Sequence, residues 1–367
     1  AEGLTGQIYL SIGDYESAEK MLRRALDAQR KMFGKNSKAE LSYLNSLITL
    51  YLVQRRLTDA SETAHGYLSL SRKLFGARSP QGAQSLAVLA QVELTTGNAG
   101  GAAEVCAEGL QIIEELGSPD LNKIKARLLN VSGDVAQKQG DFEKAVRDHA
   151  AALSMAEELY GSQISIVFER VLNLGISTYL SGNLNEARSL ASRASGVSQR
   201  RLQDVLRMDE RARLSWQGKM KWDLPLSCLR PEQIGQLLLR TKGVVLDSIL
   251  EDRAVVSGAN ATEEAREEYH ELKSLKREVT RQMFGNEDVR SKANSAELAK
   301  RVAELERSLG SRSNALGRIR KTADITLDAV LPALTGGTVL LDFARFEDPA
   351  LPEGRRACYG CVILAED

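Results

Sequence analysis

Along the first 200 residues, small residues return at a spacing that no single helix or strand explains. Alanine stands at positions 18, 60, 102, 145 and 187, so the steps are 42, 42, 43 and 42. Each of these alanines closes a short polar stretch: Gly13-Asp14-Tyr15-Glu16-Ser17-Ala18, Arg55-Arg56-Leu57-Thr58-Asp59-Ala60, Gly97-Asn98-Ala99-Gly100-Gly101-Ala102, Gly140-Asp141-Phe142-Glu143-Lys144-Ala145 and Gly182-Asn183-Leu184-Asn185-Glu186-Ala187. Twelve residues before the alanines lie Gly6, Ile48, Ala90, Gly133 and Gly175, and seven after them lie Ala25, Tyr67, Gly109, Ala152 and Ala194. The pattern predicts a repeated helix-turn-helix. Glycine ends a first helix in the left-handed conformation, Asp or Asn caps the second, and the small residues mark where two helices cross closely. First helices are expected near 1–12, 38–54, 80–96, 121–139 and 163–181.

A fixed period of this size, with the same small positions in five copies, resembles the tetratricopeptide repeat. The usual unit is about 34 residues. This one is about eight residues longer, room for roughly two further helical turns. Phe33-Gly34, Phe75-Gly76 and Tyr160-Gly161 punctuate the longer second helices. The resemblance implies an α-solenoid over residues 1–200, in which each pair buries its apolar face only by stacking on its neighbours. It also implies a concave surface lined by first helices, where a protein or peptide partner docks. Repeat position places Asn45, Thr49, Gln91, Arg127, Asn130, Asp134, Gln137 and Tyr179 on that surface. Asn45 and Asn130 fall at the same place in repeats two and four, and an asparagine amide can hold a peptide backbone by paired hydrogen bonds.

Beyond residue 200 the period fails. Arg200 to Arg213 reads as a charged helix, and Trp216 and Trp222 follow it. Pro231 opens a helix with an apolar face through Leu237, Leu238, Val244, Leu246 and Ile249. Ala261–Met283 and Ser295–Leu309 read as an antiparallel helical pair, with Leu298, Val302, Leu305 and Leu309 in the spacing of a coiled-coil seam. Thr326 caps a short helix, Gly336-Gly337 is a turn, and Thr338–Phe343 and Tyr359–Leu364 are strand-like. Continuous apolar strands beside helices predict a parallel pair in a sheet covered on both faces. The order of Leu239–Asp247, the charged hairpin, Thr326–Val330, Leu340–Phe343 and Tyr359–Leu364 looks like the start of a CHAT domain. That is a caspase-like α/β domain, and the match covers about 205–367. The resemblance implies that the repeats regulate a cysteine peptidase whose catalytic histidine and cysteine lie on later strands. The alternative is a non-catalytic interaction scaffold with a degenerate CHAT-like part.

Composition narrows the remaining choices. Basic and acidic residues balance at 49 each, so no global field draws nucleic acid. No apolar run reaches the length of a membrane span. Four scattered cysteines do not read as a disulfide framework, and a reducing cytoplasm is the expected setting. Ala1 falls inside a repeat helix and the chain stops in a strand-like run, so further sequence is expected at both ends. No cofactor and no metal are expected. His65 and His149 belong to repeat helices and His270 to a charged helix. Cys106 reads as a small buried hydrophobe, and Cys228 lies near the tryptophans. Cys358-Tyr359-Gly360-Cys361 has metal-pair spacing but enters a strand and lacks the further ligands that zinc requires. No catalytic residue is therefore assigned within this chain.

Overall fold

The computed structural model describes residues 2–11, 13–161, 165–218, 221, 223–241, 244, 248–249, 262–284, 292–312, 326–334, 339–351 and 357–365. It is mostly helical. The chain divides into two compact units, Ala1–Leu10 with Asp14–Leu190 and Ser11–Gly13 with Ala191–Asp367.

Ten helices follow the repeat: α1 (Glu2–Ser11), α2 (Tyr15–Phe33), α3 (Lys38–Val53), α4 (Leu57–Phe75), α5 (Pro80–Thr96), α6 (Ala99–Leu116), α7 (Asn122–Gln139), α8 (Phe142–Tyr160), α9 (Ser165–Leu180) and α10 (Leu184–Val205). A single turn of 3-10 helix, Pro119–Leu121, leads into α7. The turn inside each pair is built the same way five times. The amides of Asp14, Arg56, Asn98, Asp141 and Asn183 reach back to the carbonyls of Tyr9, Tyr51, Glu93, Ala136 and Thr178 at 2.8–3.1 Å. This is the Schellman closure of a helix C-terminus. It demands a left-handed residue just before, and Gly13, Gly97, Gly140 and Gly182 supply φ of 83°, 93°, 81° and 88°. In the second repeat Arg55 fills that slot at φ 59°, against the preference of a side-chain-bearing residue. Asp14, Asn98, Asp141 and Asn183 then cap the next helix, each side chain accepting from the amide three residues on. Arg56 cannot cap. It pairs instead with Asp59 and Glu19 at 2.7 and 2.8 Å and lies over the Tyr51 ring.

The repeating small positions are interior. Ala18, Ala60, Ala102, Ala145 and Ala187 are all 0% exposed. The glycines at the other small positions mark contact points: a Cβ on Gly6 would meet Leu22, one on Gly109 would meet Leu128, and one on Gly133 would collide with the His149 ring. Leu22, Leu47, Leu50, Leu86, Val88, Leu89, Ile112, Leu128 and Val131 join Ala18, Ala60 and Ala102 in one continuous apolar cluster that runs from α2 to α7. Hydrophobic burial of this extent is the main favourable term in such an array.

In the second unit, helices Glu210–Gly218, Asp223–Cys228 and Pro231–Thr241 follow α10. Leu202, Val205, Leu206, Met208, Ala212, Val244 and Ile249 form its core beside Trp216. Helices Glu263–Phe284 and Lys292–Arg312 make the hairpin that the sequence predicts. Val302, Leu305 and Leu309 are buried on Leu272, and a buried ion pair, Lys276–Glu306 at 3.3 Å, lies in the same seam. Much of Lys242–Asp247, Trp222 and the Gly336–Gly337 turn lie outside the described residues.

The strands correct one expectation. β1 (Val339–Glu347) and β2 (Ala357–Ala365) pair antiparallel, with Val339 opposite Ala365 and Glu347 opposite Ala357. They form a hairpin rather than a parallel pair. Nor are both faces covered among the described residues, since Leu341 and Ile363 are 49% and 65% exposed. Runs of apolar residues fix that a segment is extended and leave its direction open. Here only nine residues, 348–356, separate the strands, too few for the crossover a parallel pair requires. The amide of Glu347 donates to Asp223 at 2.9 Å, and that of Leu327 to Gln236 at 3.0 Å, tying hairpin and short helix to the neighbouring helices of this unit.

Candidate functional site

The residues assigned to a docking surface all lie on first helices: Asn45 and Thr49 on α3, Gln91 on α5, Arg127, Asn130, Asp134 and Gln137 on α7, and Tyr179 on α9. Their surroundings divide them. The Asn45 and Gln91 side chains are half-buried and make no hydrogen bond among the described residues. Thr49 is exposed, its hydroxyl donating to the Asn45 carbonyl at 3.1 Å. These three sit on the first helices of repeats two and three with polar capacity to spare.

Around α7 the structure instead assembles a closed polar network. Asn130 is 4% exposed. Its amide donates to Asp134 at 3.0 Å, and its side-chain oxygen accepts from Asn173 on α9 at 3.0 Å. His149 on α8 is 0% exposed and stands at the centre. Its Nε2 lies 3.2 Å from both the Asn130 carbonyl and Asp134 Oδ1, and its Nδ1 lies 2.8 Å from Ser177 Oγ. Two acceptors alone face Nε2, so that nitrogen carries a proton. Ser177 Oγ also lies 2.9 Å from Gln137 Oε1, and its one proton serves either that oxygen or His149 Nδ1. Asn45 and Asn130, equivalent by repeat position, thus differ in role: the first keeps a spare amide, and the second spends its amide inside the protein. A buried network of this kind fixes register between successive repeats because every member left unpaired is costly.

Sequence reasoning missed Asn173, Ser177 and Arg170. Each lies 43 residues after a residue that was singled out: Asn130, Asp134 and Arg127 respectively. That is one residue more than the 42-residue step from Ala145 to Ala187, so the alanine register alone points to their neighbours Glu169, Leu172 and Ile176.

Arg127 and Arg170 are half-buried and carry no ion pair among the described residues. Desolvation pulls both guanidinium pKa values below the ordinary arginine range, and for Arg127 the positive charge of Arg170 adds to the lowering. Each is crowded by protein while part of its surface still meets solvent. Tyr67 and Tyr160 flank the pair electrostatically, Tyr67 beside Arg127 and Tyr160 beside Arg170.

The remaining candidates offer no nucleophile with a base. Cys106 is 2% exposed, and burial pushes its thiol up to about 12. Cys228 is buried against the Leu224 carbonyl. Cys358 and Cys361 lie within β2 opposite Phe346 and Phe343. His65 is exposed and 3.3 Å from Glu93, and His270 is exposed beside Tyr269. Among the described residues, no three His, Cys, Asp or Glu side chains gather as metal ligands would. No described helix is long and apolar enough to cross a membrane.

Comparison with known proteins agrees with the repeat geometry. Two tetratricopeptide-repeat family models match, one over residues 4–32, spanning α1 and α2, and one over 126–163, spanning α7 and α8. No curated protein matches the chain. Among solved structures, a kinesin light chain of nearly identical TPR-like repeats from Podosopora anserina aligns at 15% identity, covering 55% of this chain and 95% of its own, with a TM-score of 0.41. BtubC (BKLC) from P. vanneervenii aligns at 17% identity over 73% of this chain and 91% of its own, with a TM-score of 0.40. The apo form of RapI aligns at 13% identity over 83% and 98%, with a TM-score of 0.47. The matched residues and the recurring cap-and-alanine turn together show that this chain carries tetratricopeptide repeats.

Proposed function

We propose that this chain is a protein-interaction scaffold whose first-helix face, α3 through α9, docks an extended segment of a partner protein. The observation that carries this reading is the uneven use of polar groups along that face. Asn130, Asp134 and Gln137 are consumed by the interior, whereas Asn45, Gln91 and Arg127 keep unspent donors and acceptors on the same row of helices. These groups still reach solvent in the free protein, and a peptide backbone could take up the donors and acceptors that no other side chain uses.

The finer reading, repeats regulating a caspase-like peptidase, rests on the order of segments between Leu239 and Leu364. The antiparallel hairpin and its exposed face weaken it, because the expected element was a covered parallel pair. The scaffold reading needs only the repeats and is therefore preferred.

The test is selection of peptides from a displayed random library on the immobilised 1–367 chain. Binding of the selected peptides is then compared with the Asn45→Ala/Gln91→Ala double variant. We expect at least tenfold weaker binding with an unchanged melting temperature. Control changes on exposed second-helix positions, Glu62→Ala with Glu104→Ala, should leave affinity intact. Equal affinity in the Asn45/Gln91 variant, or loss of binding in the control, would refute the assignment.

A further inference from the structure

The last turns of the second helices carry a pattern of charge that the helix pairs themselves do not use up. Twelve to fourteen residues after the repeat alanines stand Arg30-Lys31-Met32, Arg72-Lys73-Leu74, Glu114-Glu115-Leu116 and Glu157-Glu158-Leu159. They close α2, α4, α6 and α8, so stacking sets them in a row along the repeat unit. The fifth copy, Gln199-Arg200-Arg201, falls in the other unit. The row is thus basic in the first two repeats and acidic in the next two, with an apolar residue at its third place each time.

Part of this charge is spent within the chain. Arg30 pairs with Glu40, Arg72 with Glu108 at 2.6 Å, and Glu115 with Arg78 at 2.6 Å. Lys31, Lys73, Glu114 and Glu158 are exposed and form no ion pair among the described residues. Glu158 accepts from the Ser154 hydroxyl at 3.5 Å. Cations at the ends of α2 and α4 suit the helix dipole, whereas carboxylates at the ends of α6 and α8 oppose it. Beside these charges Met32, Leu116 and Leu159 are 70%, 39% and 43% exposed, and Leu74 is half-buried. A single exposed apolar residue is ordinary. An apolar row at one repeat position, flanked by unpaired charges of both signs, has the makeup of a contact surface.

We propose that this row is the contact between two copies of the chain, related by a two-fold axis. Such an interface sets the same patch on both copies, residue i on j and j on i. Laid antiparallel, the first repeat of one copy meets the fourth of the other, and the second meets the third. Lys31 then faces Glu158 of the second copy and Lys73 faces its Glu114, while Met32 meets Leu159 and Leu74 meets Leu116. Opposite charges and apolar residues coincide at each step. Laid parallel, like charges would meet. A nucleic acid or an anionic bilayer carries one sign of charge and would be repelled by the acidic half of the row. The contact uses second helices and does not depend on the first-helix docking face.

The experiment is sedimentation velocity of the full 1–367 chain over a range of concentrations. We expect a monomer–dimer equilibrium that is populated below about 0.1 mM and that weakens as salt is added. Lys31→Glu with Lys73→Glu, and separately Glu114→Lys with Glu158→Lys, should each weaken dimerisation at least tenfold. All four positions are exposed, so the melting temperature should stay unchanged. Mixing the two double variants should restore dimers, because an acidic row then meets a basic one, and the variant with all four changes should dimerise like the parent. A parent that stays monomeric throughout, a dimer indifferent to both double changes, or no recovery on mixing would overturn the proposal.

Discussion

At the scale of single residues, burial decides chemistry more than residue type does. Cys106 illustrates this. Four residues after Ala102, it faces the interior of the stack, where its sulfur meets the Leu128 carbonyl at 3.8 Å. Desolvation raises its thiol from 9.0 to about 12, so it stays protonated and unreactive under ordinary conditions. The sign of the linked effect follows. The folded value lies above the unfolded one, so the contribution to stability is complete below pH 9 and is lost as pH rises toward 12. The stability difference between the parent protein and Cys106→Ala, measured by urea unfolding, should narrow by about 1 kcal/mol per pH unit across that window. Parallel curves would show that the thiol titrates normally. His149 makes the same point for a polar residue. Its place in a second helix left packing and exposure both open, and only the stacking of α7, α8 and α9 shows it buried and what it meets.

At the scale of elements, the turn is the unit that the sequence writes most clearly. Glycine, an Asx cap and an alanine each have one mechanical job, and each stands at a fixed place in the chain, so the five pairs were legible before any coordinates. The exception is instructive. Arg55 occupies a left-handed slot that glycine fills elsewhere, and Arg56 occupies a capping slot without capping. The left-handed conformation costs a side-chain-bearing residue about 1–2 kcal/mol. Glycine gives back roughly 0.5–1 kcal/mol through its more flexible unfolded chain. Arg55→Gly should therefore stabilise the protein by up to about 1 kcal/mol, read as a rise in the urea midpoint. A lower midpoint would mean that the Arg55 side chain supplies contacts outweighing its backbone strain. Strand direction was not legible, because alternation and apolar content describe one strand, whereas orientation belongs to the pair. The ends of β1 and β2 were also underestimated, since Ala344–Glu347 and Ala357–Cys358 are held by cross-strand bonds rather than by β-branched side chains.

At the scale of the whole molecule, the repeats form one compact unit and the segment after Leu190 forms another, and the two ask for separate accounts. In the first, a period of about 42 residues turns isolated polar residues into rows, because stacking sets position n beside its counterpart one repeat on. The rows explain why Asn130, Asp134 and Gln137, three of the eight residues assigned to the docking face, proved to be bonded within the protein. They also explain why Asn45, Gln91 and Arg127 stand out as unspent. The sequence placed all of them on first helices correctly, and it could not separate the two groups, because pairing depends on neighbours some 40 residues away. The second unit supplies a helical hairpin with a buried Lys276–Glu306 pair and a β-hairpin with an exposed face.

Hydrogen–deuterium exchange of the 1–367 chain, free and with a library-selected peptide, tests the docking face most directly. Exchange slows where backbone and side chains become covered or locally stabilised. Peptide-induced protection should concentrate in α3, α5, α7 and α9. Protection confined to α4, α6 and α8, or to residues 191–367, would contradict the first-helix face as the place where the partner binds.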